Sequence, residues 1–297
     1  MTMRPELRRG ALRLTLAPEA GGAVAGFWLD RPEGPLALMR PLPAGAGDAL
    51  HSGMFPMLPF ANCIRDNRFS FGGRDWQVAP NMDGARLNFH GSGWRLPWQV
   101  AETGAARAVL TLDADDGIWR YHAAQSFALQ DDGLIAALTV TNRGTAPMPF
   151  GFGLHPWFPR HGPASVAFDA TGQWSLTPEG EAVALGPVPA GMDYRQPAPL
   201  PRRNLNTCYA GWSGSSRIVW QDEGIALHLC ADPVMGHLMV HVPAHDLETF
   251  CLEPQSNPPC GFDGLEDGRP GPGIHVLGPG ESLSGQVAFR LRFRRPR

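Results

Sequence analysis

Lysine is absent from this chain, whose 25 basic residues are all arginine. Schiff-base chemistry on a lysine is therefore excluded. The five cysteines, Cys63, Cys208, Cys230, Cys251 and Cys260, are odd in number and scattered, with no C-x-x-C pair. No apolar run approaches the length that crosses a bilayer. Met1 to Gly10 is charged and lacks an apolar core, so a signal peptide is not expected, and a reduced, cytoplasmic setting is. The net charge of -3 gives no reason to expect nucleic acid or an acidic membrane as partner. No amphipathic helix of about 12 residues or more stands out. There is no G-x-S-x-G elbow, and Gly91-Ser92-Gly93 leads into no helix that would make a dinucleotide fingerprint.

What is present is turn chemistry and alternation. The chain holds 36 Gly and 30 Pro without a repeat, a density that favours many turns over long helices. Ala11-Leu12-Arg13-Leu14-Thr15-Leu16 alternates as a half-buried strand, and Phe27-Trp28-Leu29 reads as a second. Arg107–Leu112, Tyr121–Leu129 and Leu134–Thr141 are strands separated by Asp-Asp-Gly turns. Further strands are expected at Val166–Phe168, Trp174–Leu176, Ile218–Trp220, Ile225–Cys230, Leu238–Val242, Thr249–Glu253 and Val287–Phe293. Residues 178–204 are Pro-rich and read as a long surface connection. Short strands at close spacing predict an all-β fold, a large antiparallel sandwich with few or no helices, in a single domain over residues 1–297.

Candidates for chemistry are few. In the strand ending Phe250-Cys251-Leu252-Glu253, alternation puts Phe250 and Leu252 on a core face and Thr249, Cys251 and Glu253 on the other. Pro254 is expected to end the strand, leaving Glu253 as a positioned carboxylate at its mouth. The alternative is a solvated strand-end Glu. His90 and His155 each read as loop residues beside glycine and aromatics, and each is as readily a structural histidine. His155 precedes Pro156 and is held extended. Trp94 and Trp157 nearby suit the apolar C–H face of a sugar, although buried aromatics pack in the same way. His237, His241 and His245 would share one face of a helix, but His237–Val242 alternates as a strand, so no metal is expected. No second carboxylate has a context like that of Glu253, which argues against a glycosidase pair.

Four ordered segments together resemble the aldose 1-epimerase (galactose mutarotase) family across roughly Leu12 to Phe293. They are Pro59-Phe60-Ala61-Asn62-Cys63-Ile64-Arg65-Asp66-Asn67-Arg68-Phe69; His90-Gly91-x-Gly93-Trp94; Gly151-x-Gly153-x-His155-Pro156-Trp157-Phe158; and Glu253-Pro254-Gln255-Ser256. The resemblance implies the galactose-mutarotase-like supersandwich with an open sugar cleft and no cofactor or metal. It implies Glu253 as the general base on the anomeric hydroxyl, His155 as the general acid on the ring oxygen, and His90 as a ligand of the ring oxygen and hydroxyls. Asn62, Arg65, Asn206 and Trp157 are further expected sugar ligands.

Two departures bear on the substrate. Cys63 stands where the family usually has Arg, with Arg65 two residues on and expected to reach the same hydroxyls from an extended chain. Asn206 stands where the family usually has a sugar-binding Asp, keeping an acceptor but losing the charge. The expected activity is interconversion of the anomers of a free aldose by a monomer or homodimer. The alternatives are a hexose-phosphate mutarotase, for which Arg65, Arg68, Arg74 and Arg95 would converge on the cleft, and a sugar-binding protein that does not turn over.

Overall fold

The computed structural model describes residues 4–267 and 271–293. Among them there is no α-helix, only four short 3-10 turns, and the remainder is strand and loop. Alternation sets the strands. Arg120–Gln130 and Gly133–Asn142 bury every second residue, each sending one face into the core. The turn at Asp131-Asp132 joins them in register from Gln130 opposite Gly133 to Tyr121 opposite Asn142.

Two antiparallel sheets make the sandwich. The larger has eleven strands, in the order Glu6–Arg9, Leu12–Ala17, Ala23–Leu29, Met54–Met57, Gly153–Pro159, Thr249–Gln255, His237–Val242, Leu205–Ala210, Gly172–Leu176 and Ala182–Gly186, with Leu36–Met39 beside Ala23–Leu29. The smaller has eight: Gln99–Thr103, Arg107–Asp115, Arg120–Gln130, Gly133–Asn142, Ser282–Phe293, Ile225–Ala231, Ser215–Trp220 and Ala164–Phe168. Between them lies a core that includes Phe27, Phe127, Leu138, Phe158, Trp220, Phe250, Leu252 and Phe289. Each such side chain removed from water contributes about 2 kcal/mol, and Phe158, Phe250 and Leu252 thereby anchor the central strands of the larger sheet.

Those central strands are buried on both faces. Every residue of Thr249–Gln255 is buried. Its outer face packs in a second cluster of Phe55, Met57, Trp94, Trp157 and Cys251 rather than facing water. The candidate chemistry sits on this outer face.

The structure corrects three local expectations. The strand does not stop at Glu253 but runs through Pro254 to Gln255. Pairing with Gly153–Pro159 is registered at Gly153–Gln255 and at Trp157–Cys251, with a gap between. The gap holds Pro156 and Pro254, neither of which has an N–H to give, so the missing donors of both strands fall at one place in the ladder. His155 is not on a loop but in the middle of the Gly153–Pro159 strand. The 178–204 connection carries an edge strand, Ala182–Gly186, and one 3-10 turn, Ala190–Met192. Its exposed Val183 and Leu185 reflect a hairpin on the sheet's rim rather than a core strand.

Candidate functional site

Register alone aligns the site. Gly153 opposes Gln255 and Trp157 opposes Cys251, so the midpoint between them places His155 across from Glu253. His155 opposes Phe55 on its other side, and Glu253 opposes Met239. Directly opposed residues share a face. One row of the outer face therefore reads Phe55, His155, Glu253 and Met239. The next row reads Trp157, Cys251, His241 and Asn206.

The row ends in an open cavity of about 230 Å3 lined by Asn62, Phe89, His90, His155, Glu179, Asn206, Met239, His241 and Glu253. His155 Nε2 lies 3.4 Å from Glu253 Oε1, and the two side chains are only 8% and 3% exposed. The His155 ring is held by stacking between Phe55, with centroids 4.4 Å apart, and Trp157, at 5.2 Å. The Arg40 guanidinium covers the Trp157 ring at 4.0 Å.

His90 reaches the cavity from a separate segment. Its ring lies edge-on to that of His155 with centroids 5.3 Å apart. His90 and Asn62 are locked to each other: the His90 N–H donates to the Asn62 carbonyl at 2.7 Å, and the Asn62 N–H donates to His90 Nδ1 at 3.2 Å. The second bond fixes the tautomer with the proton on Nε2, free for a ligand. Both residues have left-handed backbones, with φ of 60° and 58°. Gly91 follows because a Cβ there would lie 2.3 Å from the Leu58 carbonyl oxygen.

Burial governs the charges. Desolvation pushes the Glu253 carboxyl well above the ordinary carboxylate value. Desolvation, reinforced by any charge on His90 and His241 and by Arg40, pushes His155 well below the ordinary imidazole value. His90 is driven down to about 3 and His241 to about 4, each chiefly by burial. Both shifts favour uncharged forms, so that the His155–Glu253 pair holds one proton between two groups. Among the described residues, His155 Nδ1 and His241 Nδ1 are buried without a hydrogen-bond partner.

Of the expected ligands, Asn62, His90, Asn206, His155 and Glu253 come together on the cavity. Arg65 does not. The extended stretch ends at Ile64, and Arg65 enters a turn, Arg65–Asn67, with Asp66 in a left-handed conformation. The rule that alternate residues share a face lapses there, and Arg65 pairs with Asp263 at 3.2 Å and Glu181 at 3.5 Å over a neighbouring groove. Trp157 does not line the cavity either; it supports the His155 ring from behind.

His241, Glu179, Met239 and Phe89 line the cavity without having been expected there, and Phe55 stacks on the site. His241 was legible in principle. In a strand, His237 and His241 fall on one face, and that face is set by register with Cys251. As for metal, His155, Cys251 and Glu253 present ligand atoms within 4.8 Å of one another. The Cys251 thiol, however, is pushed well up by burial, away from the thiolate a metal would bind.

The family model described as aldose 1-epimerase matches residues 6–290. The uncharacterized protein YphB of Escherichia coli strain K12 is 34% identical over 97% of this chain and 98% of its own. A crystal structure of an Escherichia coli K12 protein, assigned provisionally as an aldose 1-epimerase, superposes with a TM-score of 0.90 at 32% identity, covering 98% of this chain and 99% of that one. A galactose mutarotase-like protein from Clostridium acetobutylicum shares the fold, with a TM-score of 0.84 at 15% identity over 97% of this chain and 94% of its own. A match spanning nearly every strand, together with a relative alike in sequence end to end, makes this chain a member of the aldose 1-epimerase family.

Proposed function

We propose that the protein interconverts the α and β anomers of a free aldose, with Glu253 as general base and His155 as general acid. The observation that supports it is a buried carboxylate and imidazole 3.4 Å apart at the floor of an open, ring-sized cavity. Anomer exchange needs a proton taken from the anomeric hydroxyl and a proton given to the ring oxygen. Glu253 takes the first as His155 delivers the second, the bond from C1 to the ring oxygen breaks, and the open-chain aldehyde forms. Rotation about C1–C2 and reversal of the transfers close the other anomer. A sugar hydroxyl and ring oxygen inserted between the two groups restore hydrogen bonds that burial removed, which favours the charged form. His90 Nε2–H, Asn62 and Asn206 hold hydroxyls.

The lining favours an uncharged sugar over a phosphorylated one. Among the described residues, no arginine lines the cavity. Arg65 is engaged by acids, Arg74 lies over the Trp76 ring at 4.1 Å, and Arg95 lines a different pocket. A phosphate would have no converging guanidinium pair to hold it.

The test is polarimetry or NMR exchange on freshly dissolved α-glucose, α-galactose and an aldose 6-phosphate. Accelerated exchange of a free aldose is expected. Sugar binding without acceleration, or acceleration of the phosphosugar alone, overturns the proposal. Arg65→Ala is a second check. Because Arg65 faces away from the cavity, the variant is expected to keep wild-type exchange kinetics and to lose ~1 kcal/mol of stability or less by chemical denaturation. A large rise in KM would return Arg65 to the sugar.

A further inference from the structure

Cys63 and Cys260 take no part in the sugar chemistry above, yet they are set face to face. Their sulfurs lie 3.6 Å apart although the residues are 197 positions apart in sequence. The backbones are already joined, since the Cys260 N–H donates to the Cys63 carbonyl at 3.0 Å. A disulfide requires the sulfurs to close to about 2 Å, a movement that side-chain rotation supplies.

We propose that this pair is a peroxide-reactive dithiol that closes to an intrachain disulfide, with Cys260 attacking and Cys63 resolving. The Cys260 sulfur attacks one peroxide oxygen, the O–O bond breaks, and Cys260 becomes a sulfenic acid with release of water. The Cys63 sulfur then attacks the Cys260 sulfur and displaces a second water. Overall, two thiols and one hydrogen peroxide give one disulfide and two waters.

The surroundings assign the roles. Cys260 is drawn toward the thiolate first by the hydrogen bond from Cys63, and further by the Ala182 backbone and the Arg65 charge, against the cost of burial and the nearby Asp263 charge. Cys63 is held well up as a thiol by the same hydrogen bond and by burial. Access also differs. Cys63 is fully buried and Cys260 is 6% exposed. Arg65 and Asp263, whose charges act on Cys260, line an open groove of about 540 Å3 beside the pair, although Cys260 itself is not part of its lining. Among the other cysteines, Cys208 and Cys251 are buried thiols pushed up by desolvation, and Cys230 is exposed.

The location gives the bond a consequence for the cavity walls. Cys63 follows Asn62, and its sulfur lies 3.9 Å from the carbonyl oxygen of Gly180, the residue after Glu179. Asn62 and Glu179 both line the cavity. Closure turns the Cys63 sulfur toward Cys260 and ties the Asn62 segment covalently to the segment after Ser256.

The experiment uses the full chain carrying Cys230→Ser, so that the exposed thiol cannot cross-link molecules. After brief hydrogen peroxide treatment and alkylation under denaturing conditions, only Cys208 and Cys251 are expected to carry the label. Peptide mapping should find Cys63 and Cys260 linked, and dithiothreitol should restore both. With Cys63→Ser added, the reaction is expected to stop at a sulfenic acid on Cys260, trapped by dimedone. Four labelled cysteines after peroxide, or a dimedone adduct on Cys63 in a Cys260→Ser variant but none on Cys260 in the Cys63→Ser variant, would overturn the proposal. Both readouts are independent of sugar turnover.

Discussion

Glu253→Gln is expected to slow anomer exchange by about two orders of magnitude or more, the usual scale for removing a general base, with the fold intact and monosaccharide still bound. The amide keeps the shape of the carboxylate and an acceptor oxygen but takes no proton. The substitution should also stabilise the protein in a pH-dependent way. Burial raises the Glu253 carboxyl in the folded chain above its ordinary value of 4.5. A group raised on folding contributes its full stabilisation below the unfolded value and loses it as pH rises through the folded one. Glutamine does not titrate, so the variant should gain on wild type as pH rises from the ordinary carboxyl value of 4.5 through the raised folded one. Thermal denaturation across that range measures it. A variant that kept wild-type exchange would end the base assignment, and a Tm difference flat with pH would show that Glu253 is not held protonated by burial.

His155→Asn carries the second large effect, a loss of about two orders of magnitude together with a changed pH profile. In wild type the working pair holds one proton. Activity should fall in acid as the pair gains a second proton and fall in alkali as it loses the last, the limbs belonging to the pair and not to either residue. Burial pushes the first step below the ordinary imidazole value and the second above the ordinary carboxylate value, which widens the plateau between the two limbs. With asparagine at 155 only the base titrates. Residual activity should then rise with pH to a single plateau without an alkaline fall. Retention of that fall would mean that some other group delivers the proton.

The neighbours of His155 explain why the loss should be specific to chemistry. Its ring is clamped by Phe55 and Trp157, themselves packed with Met57, Trp94 and Cys251. Asparagine leaves that clamp partly empty but removes no core residue between the sheets, so the fold should survive.

Much of the molecule was legible in its residues. Alternation located Arg107–Asp115, Arg120–Gln130 and Gly133–Asn142 of the smaller sheet to within three residues at their ends, but found Ser282–Phe293 only from Val287 onward. There one face is wet and the pattern is sharp. It failed at two strands buried on nearly every residue, Gly153–Pro159 and Met54–Met57, which carry no alternation. His155 was accordingly read as a loop residue when it lies mid-strand. Asn62, His90, Asn206 and Glu253 were named for the cavity and line it, while Arg65 was named and turns away.

Residue order alone carried the class of fold, the faces of Phe250 to Glu253, and the short set of polar residues from which a site could be drawn. Those follow from side-chain period and from the chemistry of residue types, which are local properties. Tertiary structure alone decided that Glu253 meets His155, that His241 joins them, and that Cys63 meets Cys260. Each is a matter of strand register or loop approach between residues far apart in sequence, and a register shift of one residue would send a whole strand's side chains to the other face.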